Sequence, residues 1–598
     1  MRASAPGTPA AFGDLAPIKP RFGFELDEHV RVPMRDGAAL AADLYLPVGA
    51  ERPLGTVLIR TPYDRREWRP GGTSEGWDPT TLFVEQGFAL LIQDVRGTWG
   101  SQDSGDFHVY RYERDDGFDT LEWIIAQPWS NGRVGTFGCS YLGEVQLLLA
   151  ATGHPAHVAA VPQGGAGCTN AEMGFRIGGA NNLMESIGWF SSLGACEQQF
   201  TEPTVALEEA VWHLPIVDAI AAHGGPRSDY ERVVASEPGD SWWLQETRLM
   251  TPHDRFDVPA LWVDGWYDRA DTTFAFAERL RRESRSERAR RNQFVLIAPC
   301  AHCAMHLASV DTRVGALRVG DARFPYDALY VAWFRHWLED PDPGDFDWAP
   351  FTYYTIGAAE WRTSQTWPPR PQPADVLELA LTSDGSAAEP GRAGALLTTP
   401  ATDDATDTYV YDPTDPCPSL GGVAIIDYPE IGTGGASDQA PMRERADVAT
   451  YLGPVLEAPV EVNGTPELLV WFSSDAPDTD LVLKLLDVLD DGRCWNVAQT
   501  ILRLRYRHSL RSPQLMKSGV VYPVRIELPP VSYRFPAGGR IGLMLTSSDF
   551  PAYDRNLNDG EAPAHATTPA HARNTIHHGP SWPSRLVLPG ARVEPDTT

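Results

Sequence analysis

What this chain has little of narrows its roles before any motif is read. No run of its 598 residues is apolar for the length that a bilayer crossing needs. The Pro- and Ala-rich opening MRASAPGTPAAFGDLAPIKP also has no apolar core of signal-peptide length, so residues 1–20 read as a disordered N-terminal arm on a cytoplasmic protein. Cysteine is sparse: seven, an odd number, are spread over the whole chain. No disulfide framework is expected from that spacing, and a reducing compartment fits. Cationic charge is short as well, since 50 basic residues stand against 80 acidic ones for a net charge of -30. Nucleic acid and anionic membranes are disfavoured as partners, because both are negatively charged. The acidity itself is ascribed to solubility.

Material for packed interiors is ample, with 42% hydrophobic residues and 19 Trp, 19 Tyr and 22 Phe. The length implies two to four domains rather than one core. The chain is organised around Val134 to Ala151, VGTFGCSYLGEVQLLLAA. A short apolar strand there ends in Gly138-Cys139-Ser140-Tyr141-Leu142-Gly143, and a helix-compatible run follows. Ser140 thus falls on a strand-to-helix turn, where strained backbone needs small neighbours; Gly138 and Gly143 supply them. The spacing G-x-S-x-x-G is one residue longer than the commonest nucleophile elbow. Taken alone it also describes a surface serine on an ordinary turn.

Upstream, Val30 to Leu46 reads as two strands joined at Asp36-Gly37. Apolar strands follow at Thr56 to Ile59, ending near Tyr63, and at Phe88 to Ile92, ending at Asp94. Helical spacing appears between Gly117 and Trp129. Residues 153–240 show no good strand, and the stretches around Met173 to Phe200 and Glu208 to Ala222 read as helical, so a helical cap is expected there. The strand rhythm resumes at Ala260 to Val263, followed by Asp268, and at Phe294 to Ala298, followed by His302. Continuous apolar strands alternating with helices argue for a parallel sheet covered on both faces. Such sheets place active sites at the carboxyl ends of their strands. Beyond the Asp/Pro-rich stretch 339–347, short strands dominate: Leu468 to Phe472, Leu481 to Val488, Val524 to Leu528 and Ile541 to Thr546.

The expected architecture is therefore α/β. Residues 21–152 and 241–345 form a parallel-sheet domain, which the family resemblance given below implies is an α/β-hydrolase domain, 153–240 a helical insertion that the resemblance implies is a cap, and 346–598 a β-sandwich of jelly-roll type. The segment Glu561 to Arg573, EAPAHATTPAHAR, reads as a surface loop rather than a metal tract.

A serine hydroxyl attacks a carbonyl only if a base takes its proton and a carboxylate orients that base. Ser140, Asp268 and His302 occur in the order that α/β-hydrolases use, each just past an apolar strand. The oxyanion of the tetrahedral intermediate needs donors, and the amide of Tyr141 is the first candidate. The phenol of Tyr63 is a second. Cys300, His302 and Cys303 could ligate zinc, but no second C-x-x-C accompanies them, so neither metal nor organic cofactor is expected. Trp266 is a candidate wall of an acyl pocket, and Trp189 and Phe190 of the cap are others, with cap packing as their alternative role. Asp254, Asp264 and the Arg96-Gly97 turn read as structural.

Four separated motifs carry a family resemblance. They are TPYD at Tyr63, the run DGFDTLEWIIAQPWSNGRVGTFGCSYLG, WYD ending at Asp268, and APCAH ending at His302. Together they resemble the cocaine esterase-like (CocE/NonD) and X-Pro dipeptidyl-peptidase family of serine hydrolases, which includes α-amino-acid ester hydrolases and glutaryl acylases. The runs DLVLKLLDV, GRCWNVAQTILRLRYR and SSDFPAYDRN resemble that family's jelly roll. The resemblance implies a jelly roll that closes the site from a third side, and Tyr63 sharing the oxyanion hole with Tyr141. It also marks departures. Many members have Trp where Cys300 stands, and amino-acid ester hydrolases carry Glu and Asp at the second and third positions after the aspartate, where this chain has Ala270 and Asp271.

The expected function is hydrolysis of a small ester or amide with a hydrophobic acyl group, with a homodimer compatible with the family. The alternatives are an α-amino-acid ester hydrolase or β-lactam acylase using Asp271, an X-Pro-type peptidase, or an inactive hydrolase fold that binds ligand or carbohydrate through its jelly roll.

Overall fold

A computed structural model describes residues 18–70, 78–167, 172, 174–238, 254, 256–369, 376–423 and 434–593. Most of the expected N-terminal arm therefore lies outside the described residues. The first two strands, β1 (Gly23–Pro33) and β2 (Ala39–Val48), pair antiparallel around the expected Asp36-Gly37 turn, where Gly37 takes φ +90°. The next strands are β3 (Leu54–Thr61), β4 (Ala89–Asp94), β5 (Ser130–Cys139), β6 (His157–Gln163), β7 (Ala260–Tyr267), β8 (Gln293–Ala301), β9 (Phe351–Thr355) and β10 (Glu360–Ser364). All ten form one sheet in the order β1-β2-β4-β3-β5-β6-β7-β8-β9-β10. From β4 to β9 every neighbouring pair is parallel. β3, β4 and β7 are buried along their whole length, as continuous apolar strands between helical layers must be. The helix Tyr326–Glu339 seals one face through Trp333, Phe334 and Trp337, all fully buried.

The expected boundaries are corrected in two places. β6 lies in the middle of the sheet although its residues were assigned to the helical cap. Its sequence HVAAVPQ is short and Ala-rich and carries Pro162, which weakens any strand signal; pairing with β5 on one side overrides that local preference. β9 and β10 extend the sheet to Ser364, past the expected limit at 345. The Asp/Pro-rich stretch is thus a connection from helix Tyr326–Glu339 into β9. The cap helices are also shorter than expected: Leu183–Phe190, Leu207–Ala210, Ala219–Ala222 and Tyr230–Ala235. Pro215, which has no N–H to donate, interrupts the stretch expected to be helical from Glu208 to Ala222.

The C-terminal part is β-rich, with an eleven-stranded sheet and a three-stranded one. The four expected strands appear as Glu467–Ser474, Asp480–Val488, Tyr522–Glu527 and Arg540–Thr546. Glu561 to His571 is irregular, as expected of a loop, before a strand begins at Ala572. The SSDFPAYDRN motif ties this part to the cap. Asp554 accepts from the Asn181 amide at 2.6 Å and pairs with Arg503 at 3.1 Å, with both charged side chains buried. Arg503 also pairs with Asp480 at 3.0 Å, so removing the shared arginine would leave two buried carboxylates uncompensated, at a cost of about 3–5 kcal/mol.

Candidate active site

β5 delivers Ser140 into the turn before helix Tyr141–Ala150, with φ +61° and ψ -130°. A non-glycine residue at positive φ is held there only by its surroundings. Those surroundings are the two glycines that the spacing singled out. A Cβ on Gly138 would sit 2.4 Å from Leu142 Cβ, and one on Gly143 would sit 2.7 Å from the Gln163 carbonyl oxygen. The helix therefore packs directly against β6, and Ser140 is pinned by its own N–H to Gln163 O at 2.8 Å.

Asp268 and His302 follow β7 and β8, adjacent strands of the sheet. His302 Nδ1 and Asp268 Oδ2 are 2.8 Å apart, and both side chains are buried. The other ring nitrogen, Nε2, has no protein partner. Burial lowers the imidazole pKa, but the Asp268 charge and hydrogen bond, with Glu185 and Asp264 beyond, outweigh it and raise it to about 9. Asp264 is itself buried, and desolvation plus the neighbouring Asp268 push its carboxyl well above the usual range. It is held by Thr273 Oγ1 at 2.5 Å, a supporting position. Arg96 pairs with Asp116 at 2.6 Å and Asp254 with Arg114 at 2.9 Å, which places both in ion pairs of the scaffold.

The Tyr63 hydroxyl shares the cavity wall with Ser140, Tyr141 and Trp189, and the polar groups of those residues act on its pKa. Burial raises its pKa to about 12 against those groups, so the phenol stays protonated and able to donate at neutral pH. Tyr63 and the Tyr141 amide thus converge beside Ser140. The Tyr141 ring turns away, bonding Glu113 at 2.8 Å, and Glu113 in turn pairs with Arg60 at 2.6 Å.

Ser140, Tyr63, Tyr141, Trp189, Asp268 and His302 line one cavity of about 310 Å³. Three sequence candidates lie elsewhere. Trp266 is buried between Phe274 and Trp367, its indole donating to Tyr354 O at 2.7 Å, and it does not line the cavity, because β7 ends at Tyr267 and the strand's alternation does not carry on to Asp268. Phe190 packs fully buried against Phe175 and Tyr230, the cap-packing role weighed for it above. Asp271 projects to solvent beside Arg269, with Nε and Oδ1 3.6 Å apart.

Sequence reasoning missed four features. Gly164, at φ +48°, passes so close that a Cβ would meet Asp268 Oδ2 at 2.8 Å. Glu144 and Glu185 line the cavity, Glu144 bonded to the Tyr110 hydroxyl. Arg269 lines it too. Lastly, Cys139 and Cys303 form a disulfide, which overturns the expectation of unpaired cysteines. The spacing could not show it, because the partners are 164 residues apart and meet only when β5 and β8 deliver their ends to one place. Cys303 is thereby unavailable to zinc. His108, Cys196 and Asp229 bring ligand atoms within 4.8 Å of one another. There His108 Nδ1 is engaged by Asp229 at 3.0 Å, whose other oxygen accepts from Val109 N at 2.9 Å, a clamp between loop and cap.

The sheet order, the strained serine turn after β5 and the polar strand ends define an α/β hydrolase fold. The chain belongs to the X-Pro dipeptidyl-peptidase (S15) family: that family's model matches residues 36–304, and the model of its C-terminal non-catalytic domain matches 347–587. The chain is 32% identical to the cocaine esterase of Rhodococcus sp. (strain MB1 Bresler) over 587 residues, 95% of this chain and 98% of the relative. Among solved structures, an aminopeptidase from a marine sediment Thaumarchaeota archaeon superposes with a TM-score of 0.79 at 24% identity, covering 96% of each chain. An α-amino acid ester hydrolase superposes with a TM-score of 0.78 at 23% identity, covering 98% of this chain and 100% of that one. Among the described residues no helix is long and apolar enough to cross a membrane.

Proposed function

We propose that the chain is a serine hydrolase that cleaves a small carboxylic ester or amide through an acyl-enzyme on Ser140. One observation carries the reading: His302, bonded to Asp268 on one ring nitrogen and unpartnered on the other, lines the same cavity as the strained Ser140. In this reading His302 Nε2 takes the Ser140 proton as Oγ attacks the carbonyl, then returns it to the leaving group. Asp268 fixes the tautomer and balances the imidazolium. The Tyr63 hydroxyl and Tyr141 amide donate to the oxyanion, and the cycle repeats with water to release the acid. Trp189 forms one apolar wall. An obligatory α-amino substrate is disfavoured, because Ala270 offers no carboxylate and Asp271 does not line the cavity.

The wider proposal keeps a hydrolase domain with a cap, a jelly-roll C-terminal domain, a small-molecule substrate without nucleic acid or membrane, and a homodimer. A cytoplasmic location is part of it, and the Cys139–Cys303 bond is the observation that weighs against that location, because disulfides persist in oxidising compartments. The test of the function is steady-state hydrolysis of 4-nitrophenyl butyrate. Native protein should turn it over, and Ser140→Ala should lose about 10⁴-fold or more in kcat. Native protein that is folded and inactive on this ester and on short amides would leave the inactive binding fold standing instead.

A further inference from the structure

Ser140 and His302 are flanked by the two halves of one covalent bond: Cys139 directly precedes the serine and Cys303 directly follows the histidine. β5 and β8 lie three places apart in the sheet, which at about 4.8 Å per strand separates their ends by roughly 14 Å. The Cα atoms of Cys139 and Cys303 are nevertheless 5.9 Å apart. The chain beyond β8 therefore leans back over the ends of β6 and β7, and His302 goes with it: a Cβ on Gly164, the residue after β6, would meet the imidazole at 3.3 Å. Little else holds that lean. Among the described residues no hydrogen bond joins 302–304 to 139–143, His302 Nε2 has no protein partner, and the Asp268 bond anchors the ring only to the end of β7. Cys303 itself takes φ +54°, a left-handed conformation that a non-glycine residue keeps only where its surroundings impose it. The bond to Cys139 imposes it here. Of the two cysteines, Cys303 lines the cavity and Cys139 does not, so the bond is reached from the side that admits substrate.

We propose that the Cys139–Cys303 bond is a redox switch built into the site: closed, it holds His302 in reach of Ser140, and a dithiol reductant that opens it releases the histidine and weakens catalysis. This rests on the serine hydrolase reading above and adds the control of that site. One thiolate of the dithiol attacks Cys303 Sγ, and the S–S bond breaks with its electron pair leaving on Cys139, which takes up a proton. The second thiolate then attacks the reductant's own sulfur in the mixed disulfide. The dithiol closes to a cyclic disulfide and Cys303 leaves as a thiol, so two electrons and two protons have passed from the dithiol to the two cysteines. Freed of the bond, Cys303 relaxes to an ordinary φ and carries His302 away from the serine. The hydrolase is thereby fully active in an oxidising compartment and weakened in a reducing one.

The test measures hydrolysis of 4-nitrophenyl butyrate by native protein, oxidised and after treatment with dithiothreitol and desalting, at a temperature where circular dichroism shows both forms folded. Alkylation and peptide mass report the state of Cys139 and Cys303. Reduction should lower kcat about 10- to 100-fold, the cost of misplacing a catalytic group by about 1 Å, and leave KM within about threefold. Fluorophosphonate labelling should slow in parallel, and oxidised glutathione should restore both. A bond that only braces the fold would shift the melting temperature and leave the kcat of folded protein unchanged; that result overturns the proposal. So does a bond that stays closed in folded protein under dithiothreitol, or a kcat that rises on reduction. Cys303→Ser is the second arm: its kcat should match that of reduced native protein and ignore dithiothreitol, and a native kcat in this variant overturns the proposal. If Cys303→Ser does not fold, reduction of the native chain still decides. Oxidised protein that is folded yet neither labels nor hydrolyses refutes the hydrolase itself, whereas protein that labels and turns over equally in both states refutes only the switch.

Discussion

Gly164→Ala adds one methyl group to the cavity wall, and it should disable the site. The added Cβ would lie 2.8 Å from Asp268 Oδ2 and 3.3 Å from His302 Cε1 and Nδ1, where ordinary contact begins at 3.4 Å. Asp268 must therefore retreat by about 0.6 Å (3.4 less 2.8). That displacement stretches a hydrogen bond that is 2.8 Å long in the native site. Misplacement of a catalytic group by 1 Å costs on the order of 10²-fold, so kcat/KM should fall about 10- to 100-fold. Alanine at φ +48° also pays a left-handed backbone cost of about 1–2 kcal/mol. The assays are ester turnover, the rate of fluorophosphonate labelling and thermal unfolding. Labelling should slow with turnover, because both need the base correctly placed, while the variant stays folded. Activity within threefold of native in a protein of unchanged melting temperature would refute the proposed Asp268–His302 arrangement.

Other outcomes follow from the same geometry. Tyr63→Phe removes the proposed phenolic oxyanion donor and should lower kcat about 10²- to 10³-fold with little change in KM, read from steady-state kinetics. In native protein kcat/KM should rise with pH along a limb lying above the ordinary histidine value of 6.5 and toward 9, since only neutral His302 accepts a proton. Asp268→Asn should move that limb down toward 6.5 and lower its plateau by about 10⁴-fold. Because the folded-state pKa of His302 is raised, the stability it contributes is present below 6.5 and lost as pH rises through about 9, measurable as a declining urea midpoint. Reducing the Cys139–Cys303 bond opens a 164-residue loop and should lower stability by up to about 5 kcal/mol in the chain-entropy account, seen as a lower melting temperature in a phosphine reductant.

Much of the scaffold was legible because local pattern and tertiary context agree. β3, β4 and β7 are largely apolar because both of their faces are covered, and the glycines flanking Ser140 announce a turn that is crowded in the folded chain. β6 was not legible: Ala159, Ala160 and Pro162 carry little strand preference, and the neighbouring β5 fixes their conformation. The site divides along the same line. Ser140, Asp268 and His302 stand at strand ends, so order along the chain translates into proximity. Trp266 was misplaced because it is two residues from Asp268 along an alternating strand, and whether such a residue faces a cavity depends on where the strand ends. Gly164, Arg269 and the Cys139–Cys303 bond escaped notice because their significance is a contact between distant segments, to which no spacing rule points.

The most direct test of the central claim is intact-protein mass after fluorophosphonate treatment, for the native chain and for Ser140→Ala, with ester turnover measured on the same samples. The account predicts one adduct on the native chain, mapped to Ser140, and neither adduct nor turnover in Ser140→Ala. A folded native protein that takes no adduct and hydrolyses no ester, or an adduct and turnover that persist in Ser140→Ala, would contradict it.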